Sequence, residues 1–90
     1  MEHLSVLFYD YVGDVAQRRA PYREAHLALL NDLHASGDCV MAGALGDPPH
    51  GAALVFRSAE AAERFVGADP YMAAGLITAH RVEPWTVVVP

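Results

Sequence analysis

Apolar residues recur along this chain with two periods, and the switches between them mark the elements. Leu4 to Tyr11 is short, aromatic and rich in large apolar residues, which predicts a strand ended by Gly13-Asp14. From about Val15 to Ser36 the pattern is helical. Pro21 is tolerable there only if the regular part starts near it, and Gly37 is a natural helix end. Cys39–Leu45 and Ala52–Arg57 read as strands on either side of a Gly46-Asp-Pro-Pro-His-Gly51 loop. Ser58 can cap a second helix, with Glu60 in its first turn and Ala61, Ala62, Phe65 and Val66 as its apolar stripe. Asp69-Pro70 signals one or two further helical turns over Tyr71–Ala74, closed by Gly75. A last strand is expected over about Ala79–Val89, with Pro84 marking an edge position or a bulge.

The order is β-α-β-β-α-β, with no repeat or linker. It predicts one α+β domain over residues 1–90, a ferredoxin-like antiparallel sheet with both helices on one face. Such a sheet should alternate apolar with polar. Here the strands are apolar on both sides: Leu4, Val6 and Phe8 against Leu7 and Tyr9, Leu54 and Phe56 against Val55, Trp85, Val87 and Val89 against Val82 and Val88. A homodimer with sheet faces together is therefore expected.

The first helix carries an anomaly. At about 100° per residue, Tyr22, Leu29, Leu30 and Leu33 share one stripe. His26 projects at its centre, and Arg19 and Arg23 lie within about 60° of it. Such groups are costly against a core unless paired or lining a cavity. Two readings follow. In one, the arginines reach solvent along their stems and His26 is a satisfied core residue. In the other, His26 is a general acid or base in a pocket and an arginine fixes an anionic group.

Composition narrows the partners. The net charge is −5, the six cationic side chains are all arginine, and apolar residues make up 53%. A lysine-free acidic chain lacks the basic face that nucleic acid or an anionic membrane surface requires. No apolar run approaches the roughly 20 residues of a membrane span, and the start Met-Glu-His-Leu lacks the pattern of a signal peptide. A single cysteine, Cys39, cannot form an internal disulfide. The expectation is a cytoplasmic protein.

Other constellations are bland. Asp69 reads first as a helix cap, whose free oxygen could meet a histidine. A chain folding back after the second helix makes contact with His26 geometrically open. His3 and His80 lie on strands, His50 in the Pro-Pro loop and His34 near a helix end. No pair has zinc-site spacing, so no metal is expected. Cys39 reads as a small core residue. No glycine-rich phosphate loop follows the first strand, and no cofactor is indicated. RNA-recognition domains of this topology stack bases on aromatics of the first and third strands, but the third strand here carries one Phe and one Arg and the overall charge is wrong.

The run Arg19-x-x-x-Arg23-x-x-His26-Leu27, then Gly37, Ala42-Gly43, Ala68-Asp69-Pro70-Tyr71-x-Ala73-Ala74-Gly75 and Val82-Glu83-Pro84-Trp85 resembles the YciI-like (YCII-related) family over nearly the whole chain. The resemblance implies a sheet-to-sheet dimer close to the dimeric α/β-barrel proteins. It also implies a His–Asp acid/base dyad, carried here by His26 and Asp69, with Arg19, Arg23 and Tyr71 as substrate-binding candidates. Some relatives look like lyases that remove chloride from chlorinated hydroquinones. The second strand often reads Ala-Gly-Pro in the family, whereas this chain has Ala42-Gly43-Ala44. That departure bears on substrate range more than on the dyad.

The leading expectation is a lyase or hydrolase type of enzyme acting on a small organic substrate such as a phenol or enol. Two others stand beside it: a non-enzymatic dimeric ligand-binding or accessory module, and a cofactor-independent oxygenase of the dimeric barrel type.

Overall fold

The computed structural model describes residues 1–90. Its elements are β1 (Glu2–Tyr11), α1 (Val15–Arg18), α2 (Ala20–Ser36), β2 (Cys39–Leu45), β3 (Gly51–Phe56), α3 (Ala59–Ala68), α4 (Pro70–Ala73) and β4 (Ile77–Val87). The four strands form one antiparallel sheet in the order β2-β3-β1-β4. This is the expected α+β arrangement. Pro84 lies on β4, an edge strand, where its missing N–H costs no ladder bond.

Two expectations change. The helix expected as one piece from Val15 to Ser36 is two, joined at Arg19 (φ −75°, ψ −19°). In an unbroken helix the Pro21 ring would meet the Gln17 carbonyl and offer it no donor. Starting a new helix at Ala20 puts Pro21 in the first turn, where no N–H is needed. The last strand starts at Ile77 and ends at Val87, two residues earlier at each end than expected. Its pairing with β1 stops at Glu2–Val87, and Val88 and Val89 are exposed.

Strand alternation sorts the apolar residues into two layers. Leu7, Tyr9, Leu54 and Phe56 face the helices and pack with Ala61, Ala62 and Phe65 of α3. Phe56 and Phe65 meet at 5.6 Å between ring centroids. On the other face, Leu4, Val6, Val55 and Val87 form a cluster of strand residues only, flanked by Phe8. Trp85 is 45% exposed there. That face is not wholly apolar: Arg81 lies 4.4 Å over the Phe8 ring and bonds Glu83 at 2.9 Å.

Caps close the elements much as expected. Ser58 Oγ accepts from the Ala61 N–H, and Gly37 ends α2 with φ +88°. No helix is long and apolar enough to cross a membrane.

Candidate active site

Of the seventeen residues of α2 only His26 is buried, at 6% exposure. Leu29, Leu30 and Leu33 pack partly buried against the core, whereas Tyr22 of the same expected stripe is 40% exposed. The helix packs on β2 and α4.

Asp69 sits between α3 and α4 in extended conformation (φ −69°, ψ 120°). Pro70 at the first helical position fixes the start of α4, and Asp69 Oδ1 accepts from the Tyr71 N–H at 3.0 Å. The same oxygen lies 2.7 Å from His26 Nδ1. The expected geometry, with the cap on one oxygen and the histidine on the other, is therefore corrected: Oδ1 serves both. Oδ2 is taken by the Tyr9 hydroxyl, which donates at 2.8 Å. The carboxyl has no exposed surface, and three donors replace its water.

These contacts fix the imidazole. A carboxylate opposite Nδ1 makes that nitrogen the N–H donor and leaves Nε2 as the lone-pair nitrogen of the neutral ring. Nε2 has no hydrogen-bond partner within the chain. The Tyr71 ring stacks on the imidazole at 3.7 Å with planes 2° apart, and Phe65 stands edge-on at 6.0 Å. Asp69 sets the tautomer and the two aromatics set the plane.

A cavity of about 190 Å³ adjoins this group. Arg19, Arg23 and Tyr11 line it with His26 and Tyr71, over a floor that includes Ala42, Ala44, Ala52 and Leu54. The structure thus brings together all five sequence candidates: His26, Asp69, Arg19, Arg23 and Tyr71. Arg23 is exposed and Arg19 only partly buried, so the arginines rim the cavity and are not core residues. His3, His34, His50 and His80 are exposed. Cys39 is buried in the helix-facing core, where burial pushes its thiol pKa up.

Two residues of the site had gone unassigned from sequence, Tyr9 and Tyr11. Burial first, then the Asp69 charge and hydrogen bond, push the Tyr9 phenol far above its ordinary range. Burial, with Tyr71 and Asp69 nearby, pushes Tyr11 up to about 12 against the opposing pull of Arg19 and Arg23. Both remain neutral donors near pH 7. The signal was available: Leu7, Tyr9 and Tyr11 alternate onto one side of β1, and a phenol facing a core needs a partner for its hydroxyl.

The sequence pattern of the YCII-related domain matches residues 4–86. The chain belongs to the YCII-related family. It is 34% identical to Protein YciI of Escherichia coli O6:H1 over 96 aligned positions, covering 94% of this chain and 98% of that protein. Protein YciI of Shigella flexneri matches equally. Among solved structures it is similar to 5-chloro-2-hydroxyhydroquinone dehydrochlorinase (TftG) from Burkholderia phenoliruptrix, determined in complex with 2,5-dihydroxybenzoquinone. That likeness has a TM-score of 0.74 and 28% identity, and covers 92% of this chain and 93% of the other.

Proposed function

We propose that this YCII-related protein is an enzyme that moves a proton on a small organic substrate, with His26 and Asp69 as its acid/base pair. The observation that carries the reading is the 2.7 Å contact of His26 Nδ1 with a fully buried carboxylate beside a cavity. Asp69 orients the ring and stabilises the imidazolium formed when Nε2 takes a proton. Arg19 and Arg23 rim the same cavity and stabilise the negative charge left on the substrate. Elimination fits this layout. Nε2 takes a hydroxyl proton from a phenolic or enolic substrate and returns it to the ring carbon that bears the leaving group; loss of a second hydroxyl proton then drives electrons through the ring, and the leaving group departs with its bonding pair. The likeness to a dehydrochlorinase supports a lyase of this kind, and the same pair would serve a hydrolase by activating water.

The test is chloride release from 5-chloro-2-hydroxyhydroquinone, together with binding of 2,5-dihydroxybenzoquinone. The expected result is wild-type turnover that falls about 10²- to 10⁴-fold in His26→Gln, with the variant still folded by circular dichroism. A His26→Gln protein with wild-type turnover refutes the acid/base role. A wild-type protein that neither binds nor turns over these compounds refutes the phenolic substrate.

We also propose that two copies pair through the sheet faces that carry no helix. Leu4, Val6, Val55 and Val87 cluster there, and Trp85 is half exposed. Light scattering at micromolar concentration should give twice the chain mass. A monomer refutes the pairing.

A further inference from the structure

Asp69 is the one buried carboxylate of the chain, and its side chain has no exposed surface. Three donors take the place of water. The Tyr71 N–H at 3.0 Å and His26 Nδ1 at 2.7 Å meet Oδ1, and the Tyr9 hydroxyl at 2.8 Å meets Oδ2. Each of these charge-assisted bonds draws on the same negative charge. What the other two donors take up is lost to His26.

The division matters because an acid/base pair faces two opposed demands. A carboxylate beside an imidazole favours the protonated ring, and more so where water is excluded. A general base needs the other form, with Nε2 open. From its own helix the imidazole faces Arg19 and Arg23 across the cavity, and these disfavour a further cation. From α4 it faces Tyr71, stacked on it, and from β1 Tyr11 at the cavity wall, with Tyr9 reached through Asp69. The residues of β2 and β3 that line the cavity carry no titratable group, and α3 contributes Phe65. Asp69 is thus the one carboxylate among the groups around the ring.

Tyr9 is placed to set how much of that charge reaches the ring. It is 1% exposed, so no water competes for its hydroxyl, and its ring is held between Tyr11 and Phe65. Asp69 is its one side-chain hydrogen-bond partner. Burial keeps the phenol protonated, so it donates wherever the protein is folded. The third donor, the Tyr71 N–H, is backbone and caps α4.

We propose that Tyr9 is a positioning residue of the His26–Asp69 pair: by holding Oδ2 it draws off part of the carboxylate charge, limits how strongly Asp69 stabilises the imidazolium, and leaves Nε2 open to take a proton. This rests on the acid/base reading of His26 and adds what governs its protonation. Tyr9 touches neither the cavity nor a substrate and acts only through Asp69.

The test is an NMR titration of the His26 ring in the protein without substrate, its signals identified by their loss in His26→Gln. In Tyr9→Phe the carboxylate has more charge for the ring, and the midpoint should move up by about 0.5–1 pH unit. Placing 3-fluorotyrosine at position 9 makes the phenol a stronger donor and should move the midpoint down. Opposite shifts separate charge division from simple damage, which would move both variants the same way. An unchanged midpoint in folded Tyr9→Phe, or shifts of the same sign, overturns the proposal. If Tyr9→Phe does not fold, the fluorotyrosine protein decides alone: a downward shift supports the proposal, and no shift or an upward one overturns it. In turnover, the acid limb of the kcat profile should follow the same shifts. Tyr9→Phe should run about three- to tenfold below wild type on that limb and meet it at higher pH. The two readings fail separately. Opposite ring shifts with full turnover in His26→Gln leave the charge division standing and remove the acid/base role. Lost turnover in His26→Gln with coincident titrations does the reverse.

Discussion

Tyr9→Phe isolates one hydrogen bond at the base of the site. The substitution removes the hydroxyl that donates to Asp69 Oδ2 at 2.8 Å and leaves the ring packed between Tyr11 and Phe65, at centroid distances of 6.4 and 6.3 Å. No sizeable cavity opens, so the cost is electrostatic. A hydrogen bond to a charged group contributes about 1.5–3 kcal/mol. The upper part of that range applies, because the carboxyl has no exposed surface and both remaining donors sit on Oδ1, leaving Oδ2 bare. A loss of about 2–3 kcal/mol in a domain of this size lowers the melting temperature by about 10–20 °C. The assay is urea unfolding followed by far-UV circular dichroism, at fixed chain concentration and neutral pH. Repeating it in an Asp69→Asn background, where the partner is neutral, should reduce the effect by about 1 kcal/mol or more. A loss under about 0.5 kcal/mol, or the same loss in both backgrounds, refutes the view that Tyr9 holds a buried carboxylate.

Three further outcomes are expected. A Cβ at Gly51 would run into the Tyr9 carbonyl oxygen, a backbone atom that cannot swing away. Gly51→Ala should therefore cost about 1–3 kcal/mol by urea unfolding, and a neutral result would show that β1 and β3 can part. Stability should fall as pH rises through about 10–12. The unfolded chain loses its phenolic protons near pH 10 while folded Tyr11 holds its own to about 12 and Tyr9 beyond that. The full contribution is present below about pH 10, and a Tyr9→Phe/Tyr11→Phe double variant should flatten the alkaline slope; an unchanged slope refutes the assignment. Cys39, 3% exposed and with its thiol pKa raised by burial, should resist a thiol-labelling reagent in the native state and react at once in urea. Equal rates would refute its place in the core.

The order of the elements was legible because hydrophobic period and turn chemistry are local signals. Ser58, Gly37 and Asp69-Pro70 each marked an end by a mechanism that acts within a few residues. The break at Arg19 was half visible: Pro21 required the helix to begin near it, but residues 15–18 are helical enough to hide the joint. The position of His26 followed from the helical wheel. Tyr22 did not follow, because the wheel gives a direction around the helix and says nothing of how far the sheet beneath extends. The partnership of His26 with Asp69 spans 43 residues, and no periodicity reaches across such a gap. Only the family resemblance joined them. Tyr9 was read as one side of a two-sided strand, and its role depends on a contact 60 residues away.

That span has a consequence for how the molecule is made. Asp69 binds β1 through Tyr9, α2 through His26 and the start of α4 through the Tyr71 N–H, so one carboxyl joins segments far apart in the sequence. Contacts of such long range form late, after the entropy of closing large loops has been met. A chain with its first strands and helix collapsed but α3 and α4 still undocked has no site. Opening of the α3–α4 corner alone would dismantle it. Amide exchange at Tyr71 should therefore report the lifetime of the assembled centre, and any partly folded species that accumulates will lack it.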